Sequence, residues 1–230
     1  SPSRGLGDVY KRQGYNLGMT YKKGKWNTEL NLFRNDFKNL IDTRIIARKT
    51  NGQNVFSYVN FDEIYTTGLE VNTGYKVNQN INLSIGYQLL FAFDKTKENL
   101  VENGEVFARD PQTNQTVVVG KSDYFGLVNR SRHNANFKVF YDIPKIKANI
   151  NLRLLYRSKY AQFDTNGNGL IDTYDSSFID GYLTSNIAAT KVLLKGFNIQ
   201  VGANNLLDYK DENIPTSPGI QGYVKVNYQF

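Results

Sequence analysis

The run Asp164-Thr165-Asn166-Gly167-Asn168-Gly169-Leu170-Ile171-Asp172-Thr173-Tyr174-Asp175 fits the calcium-loop pattern D-x-[DN]-x-[DN]-G. Calcium is a hard cation that takes about six to eight oxygen ligands at about 2.3–2.6 Å. Asp164, Asn166 and Asn168 would supply side-chain oxygens at the first, third and fifth positions, and Gly169 sits where the loop turns sharply. Leu170 would offer its carbonyl, Asp172 the next oxygen, often through water, and Asp175 the closing carboxylate. Asp is shorter than the Glu that usually closes such a loop, so weak affinity is expected. No helical pattern flanks the run, which predicts a structural Ca2+ site in a loop outside a helical hand. The competing reading is an Asn/Gly-rich turn of the kind common at hairpin tips.

Other candidate chemistry is thin. The chain has no Cys, which removes disulfides, thiolate zinc sites and cysteine nucleophiles, and a single His removes His-rich metal centres. No Ser/His/Asp arrangement, phosphate-cradling glycine loop or paired carboxylate set is evident, so no catalytic residue is assigned and an enzyme is not expected. His133 could contact or coordinate a ligand, but reads better as a strand-end residue facing an interior. Trp26 reads as an interfacial anchor beside a short turn. Arg44, Arg48 and Lys49 make one long connection basic, which could attract anionic chelates, although such charges are more often simply solvated or in contact with lipopolysaccharide.

What positions these residues is alternation. From Ile81 the odd positions run Ile81, Leu83, Ile85, Tyr87, Leu89, Phe91, Phe93, against Asn82, Ser84, Gly86 and Gln88 between them. The same period of two recurs in 135–141, 148–156, 197–203 and 224–230. It means β-strands with one apolar and one polar face. The fold class is all-β, with strands predicted at 15–23, 25–37, 57–76, 80–93, 124–141, 146–157, 181–193, 197–207 and 220–230. Ile81–Phe93 alternates for longer than the about 5–6 residues of a typical soluble strand. It is long enough for a tilted membrane strand of about 9–11 residues.

Connections sort by length. Short ones fall near Gly24-Lys25, Val77–Asn80, Asp142–Lys145 and Lys195-Gly196; long ones near Lys38–Phe56, Asp94–Ser122, Ser158–Asp180 and Asp208–Gly219. Strict short–long alternation predicts short periplasmic turns at one rim and long extracellular loops at the other. Aromatic residues such as Tyr141, Tyr156, Tyr228 and Phe230 at the ends of the apolar faces suit membrane interfaces. An odd strand number and polar inward faces predict part of a large barrel, since open strand edges are costly in lipid. A passive outer-membrane porin and a secreted calcium-stabilised β-sandwich or adhesin remain open at this stage.

The 230 residues carry 28 Lys+Arg against 21 Asp+Glu, and no apolar stretch approaches the about 18 residues of a spanning helix. Asp8-Val9-Tyr10-Lys11-Arg12-Gln13 is a translation of GATGTGTATAAGAGACAG, a transposon end used in sequencing libraries. Residues 1–13 therefore read as a probable adapter or translation artefact, and 14–230 as the native part. Without Arg4, Lys11, Arg12 and Asp8 the net charge falls from +7 to +5 (25 basic less 20 acidic).

Several motifs together resemble the barrel of TonB-dependent outer-membrane receptors. Leu32-Phe33-Arg34-Asn35-Asp36-Phe37-Lys38-Asn39-Leu40-Ile41 is similar to the family's F-x-N-x-x-x-x-L-I strand. Gly68-Leu69-Glu70-Val71, after Tyr58-Val59-Asn60, resembles its N…G-[LVI]-E strand, and Arg132-His133 opens a strand as Arg-His often does there. Asn204-Asn205-Leu206-Leu207-Asp208 is similar to the N-N-L-F-D signature, with Leu207 for Phe. Pro218-Gly219 precedes a strand closing on Phe230. The resemblance implies the C-terminal part, about nine antiparallel strands, of a large transmembrane β-barrel of about 22 strands, lacking the N-terminal plug. It implies import of a scarce ligand such as an iron chelate, haem or cobalamin, energised through TonB, in the outer membrane of a Gram-negative bacterium. It also implies lipid and lipopolysaccharide contacts, a small-molecule ligand, the TonB complex acting through the missing plug, and barrel-assembly machinery that reads terminal Phe230. No nucleic-acid partner is expected.

Overall fold

The computed structural model describes residues 11–50, 52–194, 196–214 and 217–228, and within these not the side chains of 40–45, 48 and 59–62. Nine long strands form one sheet: β1 (Lys11–Lys23), β2 (Trp26–Arg48), β3 (Asn54–Lys76), β4 (Ile81–Asp94), β5 (His133–Ile143), β6 (Ala148–Arg157), β7 (Tyr182–Leu194), β8 (Phe197–Asn204) and β9 (Gln221–Tyr228). Their spatial order is their chain order, and every neighbouring pair is antiparallel. A meander of this kind needs no crossover, because each strand returns beside the one before it.

Cross-strand pairs keep the two faces separate. Gln88 pairs with Glu70 and Asn134, and Asn134 with Arg157, so the polar positions of β3 to β6 line one face. Leu83 pairs with Tyr75 and Val139, and Val139 with Leu152, on the other. Apolar side chains on that second face are open: Leu17 is 70% exposed, Ile85 53%, Val201 53% and Val224 63%. No second sheet packs there among the described residues.

Three of the short turns lie where expected, and the fourth, Lys195-Gly196, includes Lys195, which lies outside the described residues. Gly24 turns β1 into β2 at φ 56°, a left-handed angle that favours glycine. Pro144–Ile146 forms one 3₁₀ turn, closed by Lys147 at φ 51°.

Four sequence expectations are corrected. β2 and β3 do not end at 37 and 57. They run on as a two-stranded arm whose strands pair from Leu40↔Phe61 to Arg48↔Asn54. β1 reaches only Lys38 and β4 only Ile64, so the arm has no described neighbour. The strand expected at 124–141 begins at His133; Tyr124–Gly126 is instead a short loop strand. The loop after β4 contains α1 (Lys95–Glu102), capped by Asp94, whose Oδ1 accepts the Thr96 and Lys97 N–H groups at 2.9 and 3.2 Å. The strand expected at 197–207 ends at Asn204, where the chain turns. Residues 229–230, including Phe230, lie outside the described residues.

Candidate functional site

The two longest loops fold together. Phe107–Arg109 pairs with Thr116–Val118 in the loop after β4, and Tyr124–Gly126 of that loop pairs with Ile171–Asp172 of the loop after β6. Val101, Val106, Ala108, Val119, Tyr124 and Leu170 make a buried cluster between them. Burying an aliphatic side chain such as Val119 or Leu170 is worth roughly 1.5–3 kcal/mol, which offsets part of the backbone entropy lost in ordering these long connections. The Tyr124 hydroxyl accepts the Asp94 N–H at 3.1 Å, tying this core to the end of β4. The loop after β8 joins the wall: Tyr182 and Tyr209 stack at 4.5 Å, and Gln162 Nε2 donates to the Asn213 carbonyl at 2.7 Å.

The candidate calcium loop is part of this wall. Asp164 Oδ1 and Oδ2 accept the Gly167 and Gly169 N–H groups, both at 2.7 Å. Asp175 Oδ1 accepts Thr165 N–H (2.6 Å), the Thr165 hydroxyl (2.8 Å) and Asn166 N–H (3.2 Å), while Oδ2 accepts Asp172 N–H (2.9 Å). Asp172 is fully buried. Its carboxylate accepts Tyr174 N–H at 2.8 Å, Asn166 Nδ2 at 3.1 Å and Asn168 Nδ2 at 2.6 Å. Burial pushes the Asp175 carboxyl above the usual range, against the hydrogen bonds that favour its ion.

Asn166, Asn168, Asp172 and Asp175 are thus brought together. Asn166 Oδ1 accepts Asn168 N–H, and Asn168 Oδ1 accepts Leu170 N–H. The amide nitrogens, not the oxygens, meet Asp172. A cation at this point would need those amides turned so that oxygen faces it; the donor types fit calcium, while this arrangement uses them as internal hydrogen bonds. Among the described residues no group of three His, Cys, Asp or Glu converges as a metal site.

Of the other sequence candidates, His133 pairs in register with Leu89 and its Nδ1 lies 2.8 Å from the Tyr87 hydroxyl. Leu89 and Tyr87 belong to the apolar face, so His133 faces outward and not into the interior. Trp26 opens β2, half exposed, with its ring 4.4 Å from Tyr75. Lys49 lies at the tip of the β2–β3 arm and is exposed; the side chains of Arg44 and Arg48 lie outside the described ones.

The polar face carries what sequence reasoning did not single out. A recess of about 520 Å³ is lined by Glu70, Gln88, Asn134, Arg157, Tyr182 and their neighbours. Gln88 Nε2 donates to Glu70 Oε1 at 2.8 Å, and Arg157 donates to Ser131 Oγ at 2.7 Å with its guanidinium 3.6 Å over the Tyr160 ring. The alternation that marks these positions as inward was legible, but their grouping depends on strand register.

Long antiparallel strands, apolar and open on one face, polar and recessed on the other, with folded long loops at one rim, define the wall of a membrane β-barrel. The chain matches the family model "TonB dependent receptor-like, beta-barrel" over residues 10–206, and it belongs to that family. A comparison with curated protein sequences gives no match. Among solved structures, a variant of the ferric enterobactin receptor PfeA from Pseudomonas aeruginosa in complex with enterobactin aligns with 96% of this chain and 32% of its own, at TM-score 0.65 and 15% identity. The siderophore receptor PirA from Acinetobacter baumannii gives 0.61 at 18% identity, over 96% of this chain and 32% of that one. The copper transporter OprC gives 0.62 at 13%, over 96% and 31%. The chain spans about a third of the length of these structures, and at such identity the likeness is one of fold.

Proposed function

We propose that the chain is the C-terminal barrel wall of an outer-membrane receptor of a Gram-negative bacterium that imports a scarce ligand such as an iron chelate, haem or cobalamin, energised through TonB. The observation that carries this reading is the polar, recessed inner face, rimmed by loops that fold on one another. A passive channel has less use for so constructed a rim, and the solved relatives include receptors for siderophores. The partners in this reading are outer-membrane lipid and lipopolysaccharide around the apolar face, a small-molecule ligand within, barrel-assembly machinery, and TonB acting through a plug encoded upstream. The test is uptake: disruption of the complete gene should abolish accumulation of one radiolabelled iron chelate or cobalamin, and disruption of tonB should do the same. Uptake that survives loss of tonB would overturn the energised reading.

Reading the source DNA upstream of codon 14 tests the assignment of residues 1–13 to an adapter. A continuous frame encoding a signal peptide and a plug supports it, and a native start codon there would remove it.

The loop Asp164–Asp175 is read as a weak structural calcium site on the outer rim, using Asp164, Asn166, Asn168, Leu170, Asp172 and Asp175. Millimolar calcium should slow amide exchange across 164–175, and Asp164→Asn should abolish that response. Exchange indifferent to calcium would leave the loop as the self-bonded turn described above.

A further inference from the structure

Lys191 of β7 stands on the apolar face, four residues on from Ile187, which pairs with Leu152. Its row across the sheet reads Ile143, Ala148, Lys191, Ile199 and Val226, one residue from each of β5 to β9. Every partner in that row is apolar. Strands are described on both sides of it, and it points away from the interior where a plug would lie. Tyr141 is one row farther from the short turns, and Tyr228, paired with Phe197, one row nearer to them. Aromatic residues at such a level mark the headgroup layer of a membrane. A lysine among them lays its stem along apolar surface and lifts its ammonium to the headgroups.

The neighbouring turn repeats the combination. The Lys147 carbonyl accepts the Val192 N–H at 2.9 Å, which sets Lys147 beside Lys191. Lys145 and Lys147 are exposed and flank Ile146, which is 51% exposed. Leu194, three residues beyond Lys191, is 71% exposed. Over the four short turns, residues 22–26, 76–80, 142–147 and 191–196 hold eight lysines, no arginine and one carboxylate, Asp142. The ion pairs among the described residues all lie toward the long loops: Arg34 with Asp36, Lys38 and Lys95 with Glu63, Lys121 with Glu102, and Lys210 with Asp208. On the short-turn rim Lys25 Nζ donates to the Val77 carbonyl at 2.6 Å, and no described lysine there is in an ion pair. Charge is thus compensated at one rim and left positive at the other.

We propose that the short-turn rim, centred on Lys145, Lys147 and Lys191, binds the phosphodiester headgroups of anionic phospholipids in the leaflet around it. This rests on the membrane-barrel reading, since it needs the apolar face in lipid. Charge complementarity selects the occupant: a phosphodiester without a compensating ammonium keeps its negative charge, and each lysine near a surface of such groups strengthens attraction about fivefold. Lysine, a point charge on a flexible stem, suits mobile headgroups better than the fixed fork of arginine. An acidic protein docked here would have to cover Ile146 and Leu194 as well. Lipid takes both features, the ammonium among its headgroups and the aliphatic side chains just below them.

The test uses the complete receptor in phosphatidylcholine vesicles that carry a trace of spin-labelled phosphatidylglycerol or spin-labelled phosphatidylcholine. The motionally restricted fraction of each label gives the relative affinity. The parent should prefer phosphatidylglycerol by about fivefold or more at low salt, and about 1 M salt should remove the preference. Lys145→Gln, Lys147→Gln and Lys191→Gln together should lower it by about threefold or more, and Lys145→Arg, Lys147→Arg and Lys191→Arg should keep it. Lys147 stands at φ 51°, so Lys145→Gln with Lys191→Gln is a second variant that leaves this turn alone, with a smaller fall expected. Lys95→Gln, Lys121→Gln and Lys210→Gln remove the same charge at the loop rim and should change nothing. Heat-modifiable migration on gels establishes that each variant is folded, and protection from an added protease that it is inserted. Three results overturn the proposal: a parent without preference, which would leave the rim to an acidic periplasmic protein; a triple Gln variant at the turns that selects like the parent; or an equal loss in the loop-rim variant. Inserted receptor that does not select removes the rim proposal alone, whereas folded receptor that does not insert removes the membrane-barrel reading and the proposal with it.

Discussion

The Asp175 carboxylate accepts from Thr165 twice, from Asn166 and from Asp172, so one side chain closes a loop whose sequence length would otherwise leave it open. A buried donor left without its acceptor costs about 1–3 kcal/mol. Asp175→Ala strands several at once, and the loop should open locally while the sheet stays intact. Amide exchange at Thr165, Asn166 and Asp172 should then rise by about tenfold or more, with exchange in β6 unchanged; equal exchange in both proteins would show that the bonds carry no closure. Asp208 does similar work in the loop after β8. The hydrogen bond from Lys210, then that from Ile220 N–H, holds its carboxyl below the usual range. A depressed acid favours the folded loop above the ordinary carboxylate value, and that contribution is lost as pH falls through the lower folded value. Protection of the Ile220 amide should therefore persist to about pH 4 and fall away below it. Protection that disappears on the acid side of neutrality, well above the ordinary carboxylate range, would contradict the assignment.

Strands that pack against a neighbour were legible because one face had to be apolar and the other polar; β4 shows this from Ile81 to Leu89, before Leu90 and Ala92 break it, and β6 from Ala148 to Leu154. The β2–β3 arm was not, because no described strand pairs with either side of it and no period of two is imposed. Phe56 and Tyr58 are 61% and 80% exposed there. Tyr124–Gly126 misled for the opposite reason: Tyr124 is buried, in the core of a loop and not in the sheet. Helix α1 is too short to show a 3.6 period, though Asp94 ahead of Glu98 is a start signal that could have found it. The calcium pattern was legible as a list of oxygens, whereas the use of its Asn amides as donors to Asp172 depends on rotamers that spacing does not specify. Glycines in strands also carried information that alternation ignores. At Gly68 an added Cβ would fall on the Leu89 carbonyl oxygen and 3.0 Å from the Phe33 ring, its cross-strand partner. At Gly74 the nearest atom is 3.9 Å away. Gly68→Ala should cost about 1–3 kcal/mol through forced backbone displacement, and Gly74→Ala should change little. The temperature at which the folded gel band is lost measures both, and equal shifts would refute the close β3–β4 approach.

At the scale of the whole molecule, a single sheet must satisfy two solvents. Its apolar face is open, with Leu17, Ile85, Val201 and Val224 all exposed on it, and a contiguous apolar surface of this kind marks an interaction site; Leu152 stands on it in register with Val139 and Ile187. Asn151, one residue earlier, faces the other way in register with Phe140 and Ala188. In a soluble sheet with water on both sides, Arg at either position would cost little. In a bilayer the two must diverge: Arg on the lipid face near mid-depth costs about 2–4 kcal/mol, while Arg on the wet inner face keeps its hydration. Leu152→Arg should therefore lower the yield of folded, membrane-inserted receptor and its melting temperature, and Asn151→Arg should leave both near the parent values. Insertion into outer-membrane vesicles, scored by protection from an added protease, reads the difference directly. Equal tolerance at both positions would mean that water, not lipid, bathes the apolar face, and the barrel-wall assignment of these strands would fall with it.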